Sequence, residues 1–279
     1  NGFQKFLQIG KLMKEFYLFY DSNEIENIMH WSFGFHGYID TILGINKNIK
    51  EKTLMPCKIV KKLKFKVKNI WHPCIENPIK NNIDLKKNII ITGPNAAGKT
   101  TLIKASIINL LLTQQIGFGF YDSCETSFFD FIHCYLNIPD TCSRDSLFQA
   151  EARRCKNILQ TVIDNPNKKH FCIFDELYSG TNPYEAISSA YSYLKFISKN
   201  KKVRFMLTTH YFKLCDLLKT NKKIDNKSME TKIKDNISKY LYKLVDGKSE
   251  LKGGVSVLKN LNYPKDILKE TQIILEKLE

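Results

Sequence analysis

Asn88-Ile89-Ile90-Ile91-Thr92 is a short β-branched run, and Gly93-Pro94-Asn95-Ala96-Ala97-Gly98-Lys99-Thr100 follows it directly. Lys99 to about Thr113 then reads as a mostly apolar helix. Strand, glycine loop and helix in this order are the setting that the pattern GxxxxGK[ST] requires. Each position has a physical task. The glycines let backbone N–H groups turn toward the β-phosphate of a nucleotide, and the amino end of the helix adds partial positive charge. Lys99 reaches the β/γ oxygens, and Thr100 offers a hydroxyl to Mg²⁺.

Downstream, the apolar run Phe171 to Phe174 ends in Asp175-Glu176, and a second run, Val203 to Thr209, ends in His210. Asp175 is suited to hold Mg²⁺ through water, and Glu176 to orient or deprotonate the water that attacks the γ-phosphate of ATP. His210 could sense that phosphate or brace the water from the other side, or be an ordinary structural histidine. Gln114 and Gln115 end the first helix, where a Gln could touch Mg²⁺ or simply be a surface amide. Between the two strands Asn182 can cap a helix, with Pro183 at its first position and Glu185 at its third, running to about Lys199. Strands alternating with helices predict an α/β domain with a mostly parallel sheet, and ligands in such sheets bind at the carboxyl ends of strands. The three candidate sites lie at strand carboxyl ends.

Toward the amino terminus, Phe6, Ile9, Met13 and Phe16, then Ile25, Ile28 and Met29, have helical spacing and predict packed helices over residues 1 to about 45. From Lys58 the period changes to two: Leu63, Phe65 and Val67 alternate with Lys62, Lys64, Lys66 and Lys68, which predicts a half-buried strand and a domain boundary near residue 50. Residues 219–239 are polar and rich in Lys and Asn, more like a mobile insertion than a packed element. Pro264 to Glu279 places Ile267, Thr271, Ile274 and Leu278 along one helical face, as expected of a short terminal helix pair.

With 279 residues, 43% of them hydrophobic, the chain has enough material for a buried core, which excludes overall disorder. Its net charge of +15 favours polyanionic partners. Residues 50–68 and 219–243 hold most of that excess, as either phosphate-backbone contacts or solvated lysine faces. The basic residues include only four Arg (Arg144, Arg153, Arg154, Arg204), a bias that low-GC coding also produces. The eight Cys show no CxxC pair and no zinc spacing, which predicts reduced thiols in an intracellular protein. No apolar stretch reaches the length of a membrane span, so no membrane partner is expected. The chain opens at Asn1 rather than Met, as a piece of a longer protein would.

With these residues in place, the chain resembles the C-terminal ATPase region of the MutS family of DNA mismatch repair proteins, which belongs with the ABC-type P-loop ATPases. Four segments carry the resemblance in the family's order: Thr92 to Thr101; Asp175-Glu176-Leu177-Tyr178-Ser179-Gly180-Thr181; Thr209-His210-Tyr211-Phe212; and the tail from Asp246-Gly247 through Gly254 and Leu261 to Pro264-Lys265-Asp266-Ile267. Trp71-His72-Pro73 is similar to the His-Pro before the family's ATPase core. The chain departs from the family's Met-Gly-Gly at Ala96-Ala97-Gly98 and from its Gly-Arg-Gly-Thr at Tyr178-Ser179-Gly180-Thr181, as in a distant branch.

The resemblance implies a helical segment at 1–50 from the end of the core and lever region, then an ATPase domain at 51–279 with a dimerisation tail from about 250. It implies that Gly93, Pro94, Asn95, Ala96, Ala97, Gly98, Lys99, Thr100 and Thr101 hold ATP. Thr100 and Asp175 would hold Mg²⁺, and Glu176, His210 and Lys99 would carry hydrolysis. Ser146 would reach the partner subunit's γ-phosphate unless it is an ordinary helix cap, and Tyr242 would pack on adenine with Ile79 facing it. The implied function is a dimeric, DNA-binding nucleotide switch in mismatch repair or related DNA maintenance, built as a homodimer or as a heterodimer with a MutS-like subunit. ATP would close the dimer, and hydrolysis would reopen it. The alternatives are an ABC-type ATPase of another process and a non-catalytic nucleotide-binding subunit.

Overall fold

The structure, a computed structural model, describes residues 2–136, 146–234, 237–249, 255, 258–259 and 261–277. It divides into two units, Asn1–Leu54 and Met55–Glu279. The first contains helices α1 (Gly2–Asp21) and α2 (Asn23–Lys50). Ser22 divides them, because its backbone is extended and its hydroxyl accepts from the Ile25 N–H as the cap of α2. The helical spacing is realised but the expected packing is not: Ile9, Met13, Phe16 and Ile28 are exposed, and α2 buries none of its residues. Two successive helices can cover only the seam they share.

The second unit is mixed α/β with two sheets. The smaller is built from β1 (Met55–Ile59), β2 (Phe65–Ile70), β3 (Asn81–Asp84), β5 (Phe118–Gly119) and β6 (Ser123–Thr126), in the order β3-β2-β6-β1-β5. In β2 the period-two pattern buries Phe65 and Val67 and turns Lys66 and Lys68 to the other face.

The larger sheet has the order β11-β10-β4-β9-β8-β7. Its strands are β4 (Asn88–Thr92), β7 (Phe131–Tyr135), β8 (His170–Asp175), β9 (Val203–Thr209), β10 (Ile224–Lys234) and β11 (Ile237–Asp246). All its pairings are parallel except β10 with β11. Helices α3 (Lys99–Ile116), α4 (Leu147–Asp164), α5 (Pro183–Ile197), α6 (Phe212–Leu218) and α7 (Lys265–Lys277) complete the described elements.

The core lies on both faces of β4, which explains its unbroken apolar run. Ile89 and Ile91 pack with Leu102, Ile103 and Leu110 of α3 and with Phe65 of the smaller sheet. Ile90 points the other way, into a cluster with Ile158 of α4, Leu194 of α5 and Leu214 of α6. Each of these isoleucines is at most 1% exposed, and burying each contributes roughly 1.5–3 kcal/mol. Strand β4 is therefore held in place from two sides, and the loop that follows it starts from a rigid point.

The described residues of 219–239 are a packed element rather than the expected mobile insertion, and 235–236 lie outside the described residues. From Ile224 they form β10, which pairs in parallel with β4 from Ile224↔Asn88 to Ser228↔Thr92 and antiparallel with β11. A strand ladder is made by the backbone and needs few apolar side chains. Here Ile224, Ser228 and Met229 are buried, and the Asn226 amide donates to the Cys215 carbonyl at 3.2 Å. Of the expected terminal helix pair, α7 is seen; residues 250–254 and 278–279, including Gly254 and Leu278, lie outside the described residues.

At the far edge of the larger sheet, His133 and His170 stack with ring centroids 5.4 Å apart and share a 3.1 Å contact from Nε2 to Nδ1. Burial, reinforced by His170 and Arg154, pushes the His133 imidazole down to about 4. The unfolded chain therefore takes up a proton at His133 near the ordinary value of 6.5, where the folded chain does not. This contribution to stability is complete above that value and is lost as pH falls toward 4. Urea denaturation at pH 7 and pH 5 should show a loss on the order of 2 kcal/mol that His133→Phe reduces. Equal pH dependence in the two proteins would refute this.

Candidate functional site

The sheet order brings the three sequence signals to neighbouring strand ends. Thr92 is in register with Thr209 across β4 and β9, and Asp175 with Thr208 across β8 and β9. Neighbouring strands lie about 4.8 Å apart, so the loop after β4, the acidic end of β8 and His210 after β9 share one edge.

The loop folds tightly around Lys99. Its ammonium, 5% exposed, donates to the Gly93 carbonyl at 2.9 Å and the Pro94 carbonyl at 3.2 Å. Burial lowers the Lys99 pKa from its ordinary value, while Glu176 and Asp175 oppose that shift. Gly98 caps α3 in the left-handed region (φ +91°), and a Cβ there would sit 3.0 Å from the Tyr242 ring. Only glycine meets both conditions without strain. Ala97 is fully buried beneath the loop, and Ala96 adopts a positive φ of 63°.

Thr100 and Asp175 meet directly: the hydroxyl lies 3.0 Å from each carboxylate oxygen. Asp175 also accepts from the Thr208 hydroxyl. Glu176 takes a left-handed backbone (φ +51°) that turns it away from the strand, a conformation that costs on the order of 1 kcal/mol. Its Oε1 lies 3.6 Å from His210 Nδ1 and 3.9 Å from Lys99 Nζ. The contact with His210, helped by the charges of His210 and Lys99, holds the Glu176 carboxyl below its ordinary range against the effect of burial. His210 is aimed by a turn in which the Thr209 hydroxyl accepts from the Tyr211 N–H at 3.0 Å, and its ring packs 4.2 Å from that of Tyr211.

Of these groups Lys99, Thr100 and Glu176 line a cavity of about 500 Å³, while Asp175 and His210 stand outside its lining. Asn95, Ala96, Gly98, Lys99, Thr100, Thr101 and Glu176 contribute to its lining, and Trp71, His72, Ile79, Asn81 and Tyr242 are among the other residues that do. Ile79 and Tyr242 are thus in the same cavity although they come from opposite ends of the domain sequence. Ser146 is apart from this lining. It caps α4, accepting from the Gln149 N–H at 3.3 Å while Gln149 reaches back to the Ser146 N–H at 2.9 Å. Gln114 does not face the site, because its amide is spent on the Phe129 backbone at 2.8 and 3.3 Å.

Sequence reasoning passed over Glu151 of α4. This carboxylate is 2% exposed and accepts from the Ser179 N–H, the Ser179 hydroxyl and the Gly180 N–H at 2.8–3.1 Å. It pins the loop after Glu176 to α4, and Gly180 permits the close approach: a Cβ there would fall 2.7 Å from Leu147 Cγ and 2.8 Å from the Phe148 nitrogen. The signal was present in the sequence. Glu151 shares a helical stripe with Cys155, Ile158 and Val162, the buried face of α4, and a charge on such a stripe needs partners.

Fold and site together define a mixed α/β domain in which a glycine loop and an acidic strand end converge on one cavity. Residues 89–279 match the family model MutS domain V. The chain is 34% identical over 208 residues to the DNA mismatch repair protein MutS of Phocaeicola vulgatus, covering 74% of this chain and 23% of that protein. To the protein of the same name from Parabacteroides distasonis it is 30% identical over 257 residues, covering 87% and 29%. For that of Bacteroides fragilis the figures are 31% over 255 residues, 86% and 29%. The chain belongs to the MutS family, and it spans 23–29% of the length of these relatives. Among the described residues, no helix is long and apolar enough to cross a membrane.

Proposed function

We propose that this chain is the ATP-binding and ATP-hydrolysing part of a MutS-like DNA-binding protein, with an ABC-type P-loop core that works as a dimeric nucleotide switch in mismatch repair or related DNA maintenance. The observation that carries this reading is the convergence of Lys99, Thr100, Asp175, Glu176 and His210 on one sheet edge. The loop from Gly93 to Thr101 wraps the phosphates, and Lys99 exchanges its carbonyl partners for β/γ oxygens. Glu176, ionised and steadied by His210, accepts a proton from the attacking water. Tyr242 and Ile79 flank the base.

The Thr100 and Asp175 oxygens fit Mg²⁺. They are hard ligands 3.0 Å apart, and no cluster of three His, Cys, Asp or Glu among the described residues could hold a metal without the nucleotide's help. Mg²⁺ is usually held this way, by one or two protein oxygens together with phosphates and waters, and when bound it neutralises charge on the β/γ oxygens. Ser146, exposed at the amino end of α4, would meet a nucleotide carried by a second subunit. That subunit is either a second copy or a MutS-like relative.

Steady-state ATP hydrolysis across protein concentrations, with and without duplex DNA, tests the reading. Specific activity should rise with protein concentration, respond to DNA and require Mg²⁺. ATP binding without turnover in any condition would instead assign the chain to a non-catalytic nucleotide-binding subunit.

A further inference from the structure

Asn81, at the start of β3, fastens together two walls of the cavity that are 161 residues apart in the chain. Its side chain is 7% exposed. The amide nitrogen donates to the Ile79 carbonyl at 3.2 Å and to the Tyr242 carbonyl at 2.9 Å, while the amide oxygen accepts from the Leu244 N–H at 2.7 Å. Tyr242 needs such a hold. Its φ of +55° is unfavourable for a bulky residue, and its ring is the group that a Cβ on Gly98 would meet. One amide thus fixes the backbone at Ile79, Tyr242 and Leu244.

We propose that Asn81 is a positioning residue that sets the width of the slot between Ile79 and Tyr242, the two side chains that flank the base in the reading above. The proposal rests on the nucleotide reading above. Asn81 lines the same cavity. Both amide hydrogens are spent on backbone carbonyls and the amide oxygen already accepts from the Leu244 N–H, so the side chain has no donor left to read a base edge with. It acts on shape, and its loss should weaken adenine and guanine nucleotides alike. A ligand with phosphates and no base depends on the loop and Lys99 alone and should not sense Asn81.

The test compares ATP, GTP and inorganic tripolyphosphate, each with Mg²⁺, binding to the whole chain and to its Asn81→Ala variant by calorimetry, with thermal melts to establish folding. Loss of buried hydrogen bonds that fix the slot should raise the Kd for both nucleotides about tenfold while that for tripolyphosphate moves less than about twofold. ATP binding that Asn81→Ala leaves intact overturns the proposal alone, as does equal weakening of ATP and tripolyphosphate. A parent chain that binds neither ligand overturns the nucleotide reading as well. If the variant does not fold, hydrogen exchange at the Leu244 amide of the parent decides the matter: ATP should slow it and tripolyphosphate should not, and equal effects overturn the proposal.

Discussion

Replacing Glu176 by Gln should lower the rate of ATP hydrolysis by about 10²–10⁴-fold, the usual contribution of a positioned general base. The affinity for ATP should change by less than about threefold, because the interaction lost is made in the transition state rather than the ground state. Gln keeps the size of the side chain and its hydrogen-bonding reach but cannot take a proton from water. The geometry sets a second expectation. Because His210 holds Glu176 below its ordinary value of 4.5, the base remains ionised to lower pH than a free glutamate. The acid limb of the rate profile should therefore lie below that value, and His210→Ala should move it upward. Single-turnover phosphate release measured beside equilibrium binding separates the two parameters. Normal turnover by Glu176→Gln would remove Glu176 from the mechanism.

Lys99→Met should weaken ATP binding by about 10²–10³-fold, since each charge-assisted bond from ammonium to phosphate contributes roughly 1.5–3 kcal/mol. The same substitution should leave the melting temperature unchanged or raise it. Lys99 sits in a site whose burial disfavours its charge, and its bonds in the free chain go to the carbonyls of its own loop. A methionine of similar length fills that space without a buried ammonium. Binding lost with stability retained is the signature of a group placed for a ligand at the expense of the fold. Retained affinity for ATP, or a large drop in melting temperature accompanying the lost affinity, would show that Lys99 serves the loop's structure instead.

Much of the site was legible because its parts are local in sequence. A β-branched run, a glycine loop and an apolar helix follow one another without a gap, and Asn182 with Pro183 and Glu185 cap α5 as their chemistry requires. The acidic pair at the end of β8 and the histidine after β9 could be read from the apolar runs that precede them. Period two likewise identified the lysine face of β2. Each of these signals depends on backbone geometry within a few residues, which is why periodicity and caps report them.

Other features depend on which strands become neighbours, and composition carries no trace of that. Polar residues 224–234 are a strand because β4 offers an unpaired edge, and a backbone ladder forms there whatever the side chains are. Gln114 is a latch for Phe129 rather than a group of the site, because β7 begins just beyond it. Glu151 and Asn81 matter through hydrogen bonds to backbone 28 and 161 residues away. The sequence by itself therefore determined the elements and the residue types that carry the chemistry, since both follow from local sterics and hydrogen-bonding capacity. Only the tertiary structure decided which buried polar groups hold those elements in register, because a buried amide or carboxylate takes its role from whichever backbone groups folding brings within 3 Å.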